Sequence, residues 1–335
     1  MDFRLSEDQL SLQKGAREFL QKECTSAVVR AAFESENGDS PELYRKMADL
    51  GWLALTVPEE HGGLGLGAVE HAVLLEQLGY FNAPGSFFGT SALAIPILLH
   101  AGAFDECASA TDGSRRFAVV LDPSFVLDAG LADAFIVVDE EVSLIDASDA
   151  DVQPHATIDG TRRTGTVRFD AAKARKLGSA RGIQAIIDRA TAALAAECVG
   201  GMQWALDTTV GYAKVRAQFG RPIGSFQAVK HRLAEALLRT ESSRSAAYYA
   251  AWANAASAPD AAYSSSVAKA YVSEAHPWVT GEAIQLHGGI GFTWEHDAHL
   301  YFKRAMMNQV LLNDAEYHRE RALMMVLPGS DREEL

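Results

Sequence analysis

The chain has few of the features that mark metal centres, disulfide scaffolds or membrane spans. Its three cysteines, Cys24, Cys107 and Cys198, are far apart and odd in number. That spacing matches no zinc or disulfide pattern and predicts reduced thiols in a cytoplasmic protein. His231, His287, His296, His299 and His318 likewise show no ligand spacing, so no metal is expected. No apolar run approaches the roughly 18–20 residues that a membrane span requires. The opening MDFRLSEDQL has no basic stretch followed by an apolar one, which predicts no secretory signal. Cationic side chains are also scarce: 30 Lys and Arg stand against 44 Asp and Glu, a net charge of −14. This balance argues against nucleic acid or an anionic membrane as partner, while leaving room for a locally basic site that holds a phosphorylated small ligand.

What the chain does have, in 335 residues, is hydrophobic pattern enough for more than one core. Three zones separate, and we place them at residues 1–112, 113–178 and 179–330. In the first, Ser6 and Gln9 form a capping-box pair ahead of Leu10, Phe19 and Leu20. Ser40-Pro41 opens another helix carrying Leu43, Met47 and Leu50. PEEHGGLGLG (58–67) breaks the pattern, and a helix resumes around Val69 to Leu78. In the middle zone, FAVVLD, AFIVVD, VSLID and TGTVRFD predict a small antiparallel sheet unit. The third zone is helical again. The alanine-rich run from Ile183 to Tyr212 predicts one long helix, and Phe226, Val229, Leu233 and Leu237 form one stripe of the next. A further helix is expected from about Ser265 to Leu286, after the break ANAASAPDAAYSSS. Helices, a small β unit and a helical bundle in that order make an α+β fold that is mostly α.

Two segments of the third zone carry candidate chemistry. EAIQLHGGIGFTWEHD (282–297) has a glycine cluster that follows a helix rather than a strand, so it is not a Rossmann fingerprint, and no Lys-Ser/Thr pair makes it a Walker loop. Its residues fit a helix cap and a turn, or backbone N–H groups cradling a pyrophosphate. RAQFGRPIGSFQ (216–227) breaks the long helices with Arg216, Arg221 and two glycines. It reads either as a solvated helix connection or as a set of forked donors for phosphate oxygens.

Taken together, RAQFGRPIGSFQ and QLHGGIGF resemble the two C-terminal signatures of the acyl-CoA dehydrogenases. LAAECVGGMQWALDTTVGYAKVR and VPEEHGGLGLG are similar to further segments of that family, in the same order along nearly the whole chain. The resemblance implies an N-terminal helical domain, a middle β domain and a C-terminal four-helix bundle. It also implies FAD, an acyl-CoA substrate, α,β-desaturation and oligomers in which both motifs reach the FAD of a neighbouring subunit. On that basis Arg216, Gln218 and Phe219 contact the flavin nucleotide, with Gln227 a weaker member of the set. Gln285, Gly288 and Gly289 line its pyrophosphate and adenosine portion.

Desaturation of this kind needs a carboxylate on one face of the acyl chain to take the α-proton, with flavin on the other face to receive hydride. The two positions at which the family carries its glutamate fall on Leu312 and Ala190, and neither is acidic. Three readings follow: Asp314 supplies the base, Glu197 supplies it from about two turns beyond Ala190, or this chain supplies none. The middle zone also lacks the family's TEPxxGSD-type segment, passing from FAVVLDPSF through VLDAG to LADAFIVVDEE. A chain that keeps its across-interface motifs while losing its own flavin wall and base resembles the shorter subunit of the heterotetrameric acyl-CoA dehydrogenases of actinobacterial steroid catabolism. The resemblance thus implies a longer, base-carrying partner. The alternatives are a self-sufficient homo-oligomer and a purely structural subunit.

Overall fold

A computed structural model describes residues 4–327. The ends of the expected first and third zones, residues 1–3 and 328–330, lie outside the described residues. Eleven α-helices and nine short strands make up the described fold, in the order helical, β, helical. Among the described residues no helix is long and apolar enough to cross a membrane.

The chain divides into two compact units. One comprises residues 23–71 and 83–190. It contains α2 (Ser26–Glu34), α3 (Pro41–Asp49), a π-helical turn (Gly89–Ala94) that runs into α5 (Ile95–His100), and α6 (Phe104–Thr111). Its first sheet has the order β1 (Phe117–Val120), β3 (Ala134–Val138), β4 (Glu141–Asp146), β7 (Arg175–Ser179). The second has the order β2 (Val126–Leu127), β6 (Thr164–Phe169), β5 (Ala150–Pro154). Val120, Phe135, Val137, Ile145 and Val167 pack into one apolar core. The β unit departs from the expected antiparallel arrangement in one respect: β1 pairs with β3 in parallel. The connection between them is too long for a hairpin and sends β2 to the other sheet, so the chain re-enters alongside β1 in the same direction.

The other unit comprises residues 4–22, 72–82 and 191–327. α1 (Glu7–Glu23) begins at the capping box, with Gln9 N donating to Ser6 Oγ (3.2 Å) and Ser6 N donating to Gln9 Oε1 (2.9 Å). Within this unit α4 (Ala68–Tyr80) crosses α7 (Ile183–Val215) at two glycines. A Cβ on Gly79 would lie 1.9 Å from Glu197 O, and one on Gly200 would lie 1.9 Å from Glu76 O. Only glycine permits that backbone approach. The crossing is tied by Glu76, which accepts from Tyr248 Oη (2.7 Å) and pairs with Arg244, both on α8 (Gln227–Ala255). α9 (Ala261–His287) then packs on α8, on α10 (Ala298–Val310) and on α11 (Ala315–Val326).

The stripe expected to bury α8 does not do so. The helix buries small residues instead, among them Ala236, Thr240, Ser243 and Ala247. Phe226, Val229 and Leu233 are half-buried, and Leu237 and Leu238 are exposed. A groove of about 560 Å³ runs along this face, lined by Leu206 and Val210 of α7 with Leu233 and Leu237 of α8.

Candidate functional site

The chain leaves α7 through Arg216 and turns back in a hairpin of β8 (Ala217–Gln218) and β9 (Arg221–Pro222). The two residues between the strands, Phe219 (φ 53°) and Gly220 (φ 79°), are both left-handed, as a two-residue hairpin of the primed type requires. The hairpin is anchored at its base, where Arg216 N donates to Tyr212 O (2.8 Å) and Ile223 N to Arg216 O (2.8 Å). Its tip is open: Phe219 is 92 % exposed, and Gln218 and Gly220 are exposed as well. The Arg221 guanidinium lies 4.1 Å over the Phe226 ring, which holds it along the hairpin. Gln227, one residue on, is the exposed first residue of α8.

The second segment terminates α9. Gly288 (φ 66°) ends the helix and starts a 3₁₀ turn through Phe292. The glycines of that turn serve different ends. A Cβ on Gly291 would meet Ile284 O at 2.8 Å, so this glycine is required for packing. A Cβ on Gly288 or Gly289 would meet nothing within 4 Å, so the backbone there faces open space. Gln285 is exposed, and Phe292 is 79 % exposed.

Two contacts bring the segments to one end of the helical unit. The Tyr212 ring stacks on His287 at 4.5 Å, joining the last turn of α7 to the residue before Gly288. Arg232 of α8 pairs with Glu282 of α9 at 3.0 Å, so the start of α8 lies beside the end of α9. His287 is buried behind the glycine turn. Its Nδ1 lies 2.7 Å from Ala283 O, which assigns the ring proton to Nδ1, and its buried Nε2 lone pair has no partner. Burial holds the imidazole below its ordinary pKa, and therefore neutral. This end thus presents guanidinium and amide donors, open glycine backbone and exposed aromatic faces. That donor set fits a flavin dinucleotide, whose phosphates need cations and N–H groups and whose rings need flat apolar cover.

The candidate carboxylates are placed elsewhere. Asp314 is the N-cap of α11, its side chain accepting from Tyr317 N at 3.0 Å. Glu197 is buried in α7, ion-paired with Arg304 at 3.1 Å and within 3.3 Å of Asn308 Nδ2. Leu312 (φ 54°) and Asn313 (φ 69°) form a left-handed turn between α10 and α11. The turn is pinned through its carbonyls: Asn313 O accepts from Lys269 Nζ (2.8 Å), and Leu312 O lies 2.7 Å from His318 Nε2. Ala190 is fully buried. A helix cap for Asp314 and a paired structural carboxylate for Glu197 were among the readings open in the sequence, whereas Arg304 as the partner of Glu197 and the buried Lys269 were not singled out. An acid seven residues from a helix landmark shows its spacing but not its partner.

Comparison with known proteins agrees with this architecture. Residues 6–105 match the acyl-CoA dehydrogenase N-terminal domain and residues 180–326 the acyl-CoA dehydrogenase C-terminal domain. The acyl-CoA dehydrogenase IpdE2 of Mycolicibacterium smegmatis is 39 % identical over 309 residues, covering 92 % of this chain and 95 % of that one. IpdE2 of Mycobacterium tuberculosis is 37 % identical over 310 residues, 91 % and 93 % of the two chains. Among solved structures, the Tcur3481-Tcur3483 steroid ACAD superposes with a TM-score of 0.85 at 30 % identity, over 94 % of this chain and 96 % of that one. The ChsE4-ChsE5 complex from Mycobacterium tuberculosis gives 0.85 at 27 % identity, over 96 % and 97 %. The chain therefore belongs to the acyl-CoA dehydrogenases, a family of FAD-dependent oxidoreductases.

Proposed function

We propose that this chain is the base-lacking subunit of a hetero-oligomeric acyl-CoA dehydrogenase, completing the FAD site of a longer partner that carries the catalytic carboxylate. The substrate class is a steroid-derived acyl-CoA thioester, as the name of one structural relative, the Tcur3481-Tcur3483 steroid ACAD, suggests by analogy. The observation that carries the reading is the contrast between the two halves of the chemistry. Arg216, Gln218, Gln285 and the Gly288–Gly289 backbone are exposed at one end of the helical unit. The two candidate acids are engaged: Asp314 caps a helix, and Glu197 is buried against Arg304. A base must reach the α-proton, and both of these carboxylates are already engaged within the fold. The exposed stripe of Leu237 and Leu238 and the groove beside it supply apolar surface for subunit contact.

In this reading Arg216 and the glycine turn bind phosphate oxygens, Gln218 and Gln285 orient the nucleotide by amide hydrogen bonds, and Phe219 excludes water from its ring face. FAD bound there would supply the hydride acceptor for the β-carbon, and the α-proton would need a carboxylate supplied by the partner.

The test is the visible spectrum of the purified chain, alone and co-expressed with a longer acyl-CoA dehydrogenase. Colourless protein that gains flavin absorbance only in the complex is the expected result. Flavin bound by the chain alone and bleached by an acyl-CoA would sink the proposal in favour of a self-sufficient enzyme. Full flavin content and turnover in a complex carrying Arg216→Ala and Gln285→Ala together would point instead to a purely structural subunit.

A further inference from the structure

The groove between α7 and α8 carries charges of opposite sign at its two ends. Nearer the hairpin stand Lys214 and Lys230, both exposed, and neither forms an ion pair among the described residues. Towards the other end Asp207 and Glu241 are exposed. Asp207 accepts from neutral donors, Tyr80 Oη (3.1 Å) and Gln203 Nε2 (2.8 Å), and Glu241 shares Arg244 with the buried Glu76. Between the two ends the lining includes Leu206, Val210, Leu233 and Leu237.

On each helix the charges are arranged symmetrically, with opposite sign, about one point. On α7, Asp207, Val210, Gly211 and Lys214 fall at i, i+3, i+4 and i+7, a single face centred between Val210 and Gly211. On α8, Lys230, Ala234, Leu237 and Glu241 fall at i, i+4, i+7 and i+11, again a single face, centred between Glu235 and Ala236. The two centres stand level. Ser243 Oγ lies 3.9 Å from Met202 Sδ, and Arg244 donates to Gln203 Oε1 at 2.7 Å, so α8 runs back along α7 from these contacts. Moving equally far along both helices from there brings Val210 and Gly211 opposite Glu235 and Ala236.

One two-fold axis, lying in the plane of the face at that level, therefore serves both helices. It lays α7 on the α7 of a second copy and α8 on its α8, each pair antiparallel. Asp207 then meets the second copy's Lys214, and Lys230 meets its Glu241, with every pair formed twice. Val210 comes over the second copy's Gly211, where a Cβ would have nothing within 4 Å. A patch that is complementary to itself in this way is the mark of an isologous contact. An axis along the helices would instead set Lys214 against the second copy's Lys230, a like-charge pair.

We infer that the α7–α8 face docks a second copy of this chain about a two-fold axis, through reciprocal Asp207–Lys214 and Lys230–Glu241 pairs over an apolar floor. The contact is independent of the flavin reading above, because none of its residues belongs to the two glycine-containing segments.

The full-length chain tests this as an equal mixture of isotopically light and heavy preparations. Carbodiimide should link Asp207 to Lys214 and Glu241 to Lys230 between light and heavy chains, and sedimentation across a concentration series should show a dimer. Lys230→Glu turns two attractions into two repulsions and should weaken the dimer about tenfold or more. Adding Glu241→Lys to that variant restores opposite charges and should restore the dimer. Circular dichroism matching the wild type separates a loss of pairing from a loss of fold. A monomer at every concentration, a dimer indifferent to Lys230→Glu, or one that the double variant fails to recover would overturn the contact. Cross-linking of the complex with a longer acyl-CoA dehydrogenase checks the other occupant. Links from Lys214 and Lys230 to that partner, in place of light–heavy links, would assign the face to it and overturn self-pairing.

Discussion

Burying an ammonium group costs several kcal/mol unless oxygen atoms replace its water, and Lys269 is given three. Its Nζ donates to Ser273 Oγ (2.7 Å), Asn313 O (2.8 Å) and Gln309 O (3.1 Å), with no exposure to solvent. These are neutral acceptors, so burial still prevails over the raising influence of Cys198 and Asp314, and the pKa falls from 10.5 to about 8. Between those two values the unfolded chain holds a proton that the folded chain has released. Stability therefore rises with pH through that window, and the cost of burying the charge is felt in full below it. The stability of the wild type relative to Lys269→Met should rise by on the order of 3 kcal/mol from pH 8 to 10.5. Urea denaturation of both proteins across that range checks this, and a difference that stays flat with pH would contradict the depressed pKa.

At the scale of elements, the α4–α7 crossing is the most constrained contact in the helical unit. Gly79 and Gly200 each meet the opposite helix's carbonyl oxygen where a Cβ would stand. Gly200→Ala should force the helices apart and cost about 1–3 kcal/mol or more, while Gly211→Ala, with nothing within 4 Å of its Cβ position, should be neutral or slightly stabilising. Thermal melts of the two variants make the comparison. The elements differ in how legible they were. β1, β3, β4 and β6 are dense in Val, Ile and Phe and were readable as strands, as were the capping box and the uninterrupted alanine-rich α7. β5 (ADVQP) and β7 (RKLGS) carry no apolar alternation and largely face solvent. Their strand form is imposed by β6 and β4, which single-strand pattern does not reveal. The stripe on α8 misled in the other direction: its period was correctly helical, yet the smaller alanine face packs inward.

For the whole molecule, the legible part of the candidate site was the local part. Glycine and arginine in RAQFGRPIGSFQ and HGGIG announce turns and donors within a few residues. Their convergence depends on the antiparallel register of α8 and α9 and on the Tyr212–His287 stack, which no local pattern encodes. On the proposed reading the exposed aromatic tips serve assembly rather than folding. Phe219→Ser combined with Phe292→Ser should therefore change the unfolding free energy of the isolated chain by only about 0.5 kcal/mol. On the proposed reading the same pair should lower flavin content and complex yield, measured by absorbance per chain and by light scattering. A loss of fold in the isolated chain would contradict this division. The left-handed Phe219 has a kinetic consequence too. A bulky residue at φ 53° is held there by the hairpin around it, at a conformational cost already met within the single chain. Capture of a partner then requires no ordering of this loop. Assembly should proceed at the rate of oriented collision, and the lifetime of the complex should be set by its dissociation.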